Sequence, residues 1–411
     1  MVAFCKSLAG PGLTMHKSGL SSTFDLIRWS CALLVVTHHA RQLVFAGYER
    51  LQAPGLIEKV FYGITALGHE RVVLFLFVSG FLVGGLPLAR WGEKPFSLLD
   101  YGIRRFSRIY VAFIPALVLT WALDQAGLLF LSESPFYAQV AGATNSWFHF
   151  PAVEATSLTV ATFLSNLVML YGVTAERFGS NGPLWSLANE WWYYCLFGAS
   201  VACAHRKAIV QLLGVAALLA IFSMLPAGTL ILGIPWLAGM ATCLLIHRGV
   251  PTLTIPAALL IFAATLIITH PLHRPSAVAP HAFAWRALLG DAVLSLSIAL
   301  LVLSIAARRV TALPGARVHR VLAEFSYSVF LTHYPVCVFV AALMQKAMGA
   351  TLQTAPSVGV IAIYIGCLFT SYAVAVLFYL AFERRTDAMR SLINSPVKSL
   401  RLKVRAAMTA G

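Results

Sequence analysis

Residues 24–44 read FDLIRWSCALLVVTHHARQLV, an apolar run interrupted by Arg28 and by two adjacent histidines. Twenty-one helical residues span roughly 32 Å, enough to cross the hydrocarbon of a bilayer. The rest of the chain has the same character. Its 411 residues are 59% hydrophobic and 11% charged, against about half and about a quarter in an ordinary soluble domain. A soluble globule is thereby excluded. A formal charge of +15 would suggest nucleic acid as the partner of a soluble protein. Here the charges fall between apolar runs and record orientation in a membrane, so no nucleic acid is expected. The seven cysteines, Cys5, Cys31, Cys195, Cys203, Cys243, Cys337 and Cys367, lie singly, at neither zinc-ligand nor redox spacing. No disulfide framework and no metal are expected. With no small-residue cleavage site behind it, the first run reads as a retained helix.

Runs of this length, shortened where Gly or Pro interrupts them, predict an all-α polytopic protein of about ten transmembrane helices. They lie near residues 24–44, 72–88, 106–124, 184–204, 208–224, 228–246, 254–270, 285–306, 325–345 and 357–381. An eleventh stretch, 159–173, is short, contains Asn166 and reads as a shallow or re-entrant helix. Basic residues test the count, because they favour cytoplasmic loops. With the N-terminus inside, twenty-one of the thirty Lys and Arg fall on the inner side. Eight fall outside, Arg41, Arg50, Lys59, Arg71, Arg177, Arg274, Arg286 and Lys346, and Arg28 lies within the first helix. The expectation is an even number of crossings with both termini cytoplasmic. The chain then divides into a cytoplasmic segment (1–23), a membrane domain (24–383) and a basic cytoplasmic tail (384–411) attracted to anionic lipid. A long outer loop, about 125–183, carries Phe136, Tyr137, Asn145, Trp147, Phe148 and His149, and reads as a lid or as a plain connector. No internal repeat is visible, which disfavours transporters built from duplicated halves.

Ionisable residues inside a span are costly unless paired or hydrated, so each is a functional candidate. Arg28 and His39 are eleven positions apart, three turns plus about 20°, and so share one helix face about 16 Å apart along the axis. The guanidinium fork suits phosphate, and an imidazole deep in the membrane suits proton abstraction from a hydroxyl. The plainer reading makes Arg28 a positive flank and His39 a hydrogen-bonded core residue. RRFSRIY brings Arg104, Arg105 and Arg108, with Arg104 and Arg108 four apart on one face, as anchors or as a polyanion site. NGPLWSLANEWWYYCLF carries Glu190, which needs a partner such as Ser186 or a histidine from another span. Its Trp191–Tyr194 run fits an interfacial aromatic belt, with stacking on a sugar as the alternative. EFSYSVFLTHYPV carries Ser326, Tyr327 and His333 in a helix expected to kink near Pro335. Glu383 beside Arg384 and Arg385 reads most simply as a helix-end ion pair.

These clusters, in this order, resemble the acyltransferase-3 family of integral membrane acyltransferases, which includes bacterial enzymes that O-acetylate surface polysaccharides. The family's opening helix has an arginine, ten residues, then a histidine, a spacing that Arg28 and His39 fit and His38 does not. FLFVSGFLVGG, RRFSRIY, GPLWSLANEWWYYCLF, FSYSVFLTHYPV and FYLAFERR resemble later family segments. The chain departs from the family at Val111 and Arg385, where proline is common, and at Asn189-Glu190, where paired acids are frequent. The resemblance implies an O-acyltransferase of the cytoplasmic (inner) membrane that moves an acyl group, acetyl in the simplest case, from cytoplasmic acetyl-CoA to a hydroxyl of a carbohydrate or glycolipid at the outer face. Arg28, Arg104, Arg105 and Arg108 would hold the donor's phosphates. His39 would be general base or acyl carrier, with Glu190 orienting its ring, and Trp185, Ser186, Ser326, Tyr327 and His333 would line the acyl channel or acceptor site. No metal is implied, and oligomeric state is left open. A rival reading makes the chain a transporter or flippase for a lipid-linked glycan or lipid, with the same polar residues as its path.

Overall fold

The computed structural model describes residues 19–91, 96–137, 153–205, 207–246, 248–273, 280–308, 310 and 312–395. Asn145, Trp147, Phe148, His149 and the tail beyond residue 395 lie outside the described residues, as does most of the segment before the first helix. Helices account for nearly all regular structure. They are α1 (Gly19–Val44), α2 (Leu56–Ala66), α3 (Gly68–Ser79), α4 (Leu98–Phe130), α5 (Val160–Leu167), α6 (Trp185–Cys203) and α7 (Ala208–Met224). There follow α8 (Ala227–Ile231), α9 (Gly233–Ile246), α10 (Ile255–Thr269), α11 (Pro280–Ala307), α12 (Ala316–Glu324), α13 (Ser326–Met348) and α14 (Val358–Ala381). Every apolar run expected to cross the bilayer is helical, and the chain is a polytopic all-α membrane protein.

Eight helical segments among the described residues are long and apolar enough to span a membrane. Two of the ten expected spans fall short of that measure. Helix α7 has only 17 residues, and α6 carries Ser186, Asn189 and Glu190 in its first two turns, which lowers its mean hydropathy. The boundaries also move. Helix α1 starts at Gly19 rather than residue 24, and α4 runs from Leu98 to Phe130, past the expected end at residue 124 and into the expected outer loop. The 159–173 stretch contains the eight-residue helix α5, too short to cross.

Helices α3 and α9 meet backbone to backbone. Helix α3 continues through a π-helical stretch, Gly80–Gly85, into a last turn, Leu86–Ala89. A Cβ on Gly80 would strike the Trp236 carbonyl, and one on Gly239 the Phe77 carbonyl. Small residues permit such close approach where no hydrophobic drive separates helix from lipid. Two further ties fix α3. His69 meets the buried Asp291 carboxylate of α11 at 2.6 Å, and His270 meets Glu70 at 2.9 Å. Arg71, assigned from its charge to an outer loop, instead lies in the first turn of α3 and is buried. Its guanidinium donates to the Leu34 carbonyl of α1 and, at 2.8 Å, to the Ile64 carbonyl of α2.

Helix α13 shows how a proline is accommodated. It runs unbroken from Ser326 to Met348 with Pro335 inside, where a break or kink was expected. Proline removes the N–H that would bond the carbonyl four residues back, here that of Leu331. Asn181 Nδ2 supplies the replacement donor at 3.0 Å and also donates to Thr120 Oγ1 of α4 at 3.0 Å. The neighbouring Ser180 N–H donates to the buried Asp124 carboxylate at 2.6 Å. The segment leading into α6 is therefore clamped between α4 and α13.

Gly239→Leu should lower stability by about 1–3 kcal/mol through overpacking, seen as an earlier thermal unfolding transition in detergent. Gly228→Leu should not, because a Cβ there meets open space.

Candidate active site

Helices α1, α2, α3, α4, α6 and α13 surround a cavity of about 1550 Å³. Single-ligand pockets occupy about 300–1,000 Å³, so this chamber has room for two substrates at once. Both Arg28 and His39 line it, as the shared helix face required, about three turns apart along α1.

At the Arg28 end, one guanidinium nitrogen of Arg28 donates to Ser326 Oγ at 3.4 Å, and that hydroxyl donates to the Ala323 carbonyl at 2.8 Å. Arg105 and Arg108 line the same cavity. Arg105 Nε is buried without a hydrogen-bond partner, a donor prepared for an acceptor the protein itself does not supply. The Arg105 guanidinium lies 5.8 Å from the ring centroids of Tyr101 and Tyr194, and Arg108 lies 5.0 Å from that of Tyr327. Arg104 is exposed and does not line the cavity. The face that turns inward carries residues three apart, Arg105 and Arg108, rather than the four-apart pair Arg104 and Arg108.

Glu383 does not close a helix-end pair with its neighbours. Its Oε1 accepts from Arg108 at 2.7 Å, and its Oε2 accepts from the Ser328 N–H at 3.1 Å and the Ser328 hydroxyl at 2.7 Å. One carboxylate thus joins α4, the first turn of α13 and the chain just past α14.

His39 sits in an aromatic cage farther along the cavity. The His333 ring stacks on it at 5.4 Å and 30°, and the Tyr334 ring meets it edge-on at 5.2 Å. The Gln42 side chain, one turn on, is hydrogen-bonded to it. His333 lines no part of the cavity. It is fully buried behind His39, its Nδ1 donating to the carbonyls of Val329 and Phe330 at 3.0 and 2.9 Å. A proton on Nδ1 leaves Nε2 as the lone-pair nitrogen, and that atom has no partner. His38 also reaches the cavity wall, but its Nδ1 is engaged by the Thr65 carbonyl at 2.5 Å.

Trp185, Ser186, Glu190 and Tyr327 line the cavity. Glu190 finds its partner neither in Ser186, whose hydroxyl donates to the Pro183 carbonyl at 3.2 Å, nor in the His39 ring. It accepts a 2.5 Å hydrogen bond from the Tyr194 hydroxyl, four residues on, and its charge faces Arg28. Trp192 and Tyr193 donate to the carbonyls of Met169 and Thr229 at 2.8 and 2.6 Å, and Trp191 packs edge-on against Tyr110. These contacts brace the bundle. Sequence reasoning missed the roles of Arg71, Tyr334 and Asn181 and did not foresee the pairing of Tyr194 with Glu190. A charge at the head of a long apolar run marked Arg71, whereas nothing in the pattern singled out Tyr334 or Asn181.

Comparison with known proteins assigns the family. The sequence model of the acyltransferase-3 family, described as an acyltransferase domain, matches residues 22–380. An "O-acetyl transferase" of Shigella phage Sf6 is 28% identical over 193 residues, 47% of this chain and 48% of the phage protein. An uncharacterized protein of Haemophilus influenzae is 29% identical over 140 residues, 33% of this chain and 49% of its own. The chain thus spans about half the length of the curated relatives it matches. No solved structure matches it.

Glu383→Gln should cost about 1–3 kcal/mol, because amide substitution leaves Arg108 unbalanced and puts an N–H₂ where two Ser328 donors point. The check is the thermal unfolding midpoint of the purified protein, with Arg384→Gln, beyond the pair, as the comparison expected to stay unchanged.

Proposed function

The chain belongs to the acyltransferase-3 family, and on that premise we propose that it moves an acyl group, in the simplest case acetyl, from a cytoplasmic acyl-CoA to a hydroxyl of a carbohydrate or glycolipid presented at the opposite face of the inner membrane. The observation that carries the proposal is the single chamber containing both Arg28 and His39. A cationic end and a buried imidazole share one space, separated by a length that suits a donor with a charged head and a long reactive arm.

Arg28, Arg105 and Arg108 suit the donor's phosphates, since planar guanidinium forks pair with phosphate oxygens bidentately. The unpartnered Arg105 Nε is one donor such a group would satisfy. Arg104, on the outside of α4, is left out of that site. A thioester supplies an acyl carbon already activated for attack. His39 takes the proton from the acceptor hydroxyl as the C–O bond forms and returns it to the departing sulfur as the C–S bond breaks. His333 and Tyr334 hold the imidazole in place, and His333 acts through His39 rather than on substrate. Glu190, paired with Tyr194, balances the cationic end rather than orienting the imidazole. Ser326 fixes the Arg28 fork, and Tyr327 gives Arg108 an aromatic face. Trp185 and Ser186 form part of the chamber wall between the two ends.

Acetyl-CoA binding and slow hydrolysis by the full-length protein in lipid test the proposal directly. His39→Ala should bind the donor normally and lose turnover by about 10²–10⁴-fold. His38→Ala should retain turnover within about threefold and lose the α1–α2 hydrogen bond, roughly 1 kcal/mol of stability. Arg28→Lys should weaken donor binding about tenfold although the charge is kept, because a fork becomes a point charge. A wild-type protein that neither binds nor cleaves acetyl-CoA would overturn the reading.

A further inference from the structure

Helix α1 ends at Val44, which leaves the carbonyls of Arg41, Gln42, Leu43 and Val44 without donors from within the helix. The Phe45 N–H serves the first at 2.9 Å. One residue, Gln353, serves the other three. Its side-chain amide Nε2 donates to the Gln42 and Leu43 carbonyls at 2.5 and 3.0 Å, and its backbone N–H donates to the Val44 carbonyl at 2.9 Å. Gln353 comes from the segment between α13 and α14, 311 positions beyond Gln42. It holds a φ of +60°, a left-handed conformation that a residue with a Cβ adopts at a cost and keeps only where its surroundings fix it. Here those surroundings are the end of α1.

What this cap holds in place is the turn that follows His39. Gln42, three residues on, hydrogen-bonds the His39 ring through its side chain, and His39, Gln42 and Gln353 all line the chamber. The chemistry of that partner matters. An amide offers N–H donors and a carbonyl acceptor, so it can meet a ring nitrogen that is bare or one that carries a proton. A carboxylate can only accept, and it favours the imidazolium. Two histidines that tie helices together have that other kind of partner, His69 meeting Asp291 and His270 meeting Glu70. The charged and titratable groups that face His39 are His38 on α1, Arg71 on α3, and His333 and Tyr334 on α13. None of these is a carboxylate.

We propose that Gln42 is the positioning residue of His39, presenting the same ring nitrogen to the chamber whether or not the ring carries the extra proton, and that Gln353 keeps Gln42 in register by capping α1. The role rests on the reading of His39 as the base. The proton concerned leaves the acceptor hydroxyl as the C–O bond forms and goes to sulfur as the C–S bond breaks, so the ring must be held equally well in both states. Gln42 is fourteen residues beyond Arg28 on α1, about 21 Å along the axis, and its effect falls on turnover rather than on the donor's phosphates.

The test follows kcat and KM for acetyl-CoA hydrolysis against pH, with the full-length protein in lipid and water as the acceptor. Gln42→Leu should lower kcat about tenfold or more and leave KM within about twofold, because the base is misplaced and the donor is not. Gln42→Glu, nearly the same in shape, should move the point of half-maximal kcat up by about one pH unit or more, because a carboxylate favours the protonated ring. Above that point its kcat should return to within about threefold of wild type. Gln353→Ala should lower kcat with KM unchanged, and should add less than about twofold to the loss in Gln42→Leu, since it acts through the same side chain. A purely structural role would lower kcat at every pH and leave the half-maximal point where it is. A Gln42→Glu profile in the wild-type position, or losses from Gln42→Leu and Gln353→Ala that multiply in the double variant, would overturn the proposal, while loss of turnover in His39→Ala would keep the transfer reading. A wild type that leaves acetyl-CoA intact, or a His39→Ala variant that cleaves it undiminished, would overturn both.

Discussion

A charge inside a bilayer must be hydrogen-bonded, paired or wet, and the cost of leaving it otherwise is several kcal/mol. Most of this protein's architecture follows from how that requirement is met. Glu383 is nearly sealed from solvent, and it is satisfied by Arg108 of α4 and by the backbone and hydroxyl of Ser328 in α13. The end of the last long helix is thereby pinned to two others at the cationic end of the chamber. Arg71 does the same elsewhere, its two terminal guanidinium nitrogens donating to the carbonyls of α1 and α2 that it draws together. Where a charge is satisfied within the protein it acts as a strut. Other charges, Arg28, Arg105, Arg41 and Arg177 among them, line the cavity instead.

The same division separates the histidines. His38 gives its Nδ1 to the Thr65 carbonyl, His69 pairs with Asp291, and His270 pairs with Glu70. Each joins two helices. His39 instead rests against rings, with His333 stacked on one side and Tyr334 edge-on. Aromatic packing and the Gln42 side chain hold the imidazole in place at the cavity wall, where the proposed base would have to accept and release a proton. His333 in turn is fixed by two carbonyls, so the support has support of its own.

The spans were legible in the sequence because their signal is local: twenty apolar residues in a row can do little else in water or lipid. The Arg28–His39 relation was legible for the same reason, since helical periodicity within one element predicts a shared face. Relations between elements were not. That Arg105 rather than Arg104 turns inward depends on how α4 is rotated against α6 and α13, and no pattern within RRFSRIY states that rotation. The partner of Glu383 lies 275 positions earlier in the chain, and the adjacent Arg384 and Arg385 were the natural but incorrect choice. Pro335 misled in an instructive way. A proline frees a carbonyl, but whether the helix kinks depends on whether a donor from elsewhere restores the bond, and Asn181 does so from 150 positions away.

That rescue also ties fold to function. The segment that delivers Asn181 to α13 delivers Ser180 to Asp124 and, three residues after Pro183, places Ser186 and then Glu190 on the cavity wall. Arg177, at the other end of the same clamped stretch, lines the chamber as well. The proline site in α13, a buried carboxylate in α4 and a cavity-lining cation are therefore one mechanical unit. Loosening any of the three would move a cavity-lining residue without touching His39, and its effect would fall on the shape of the chamber rather than on the proton transfer proposed for that imidazole.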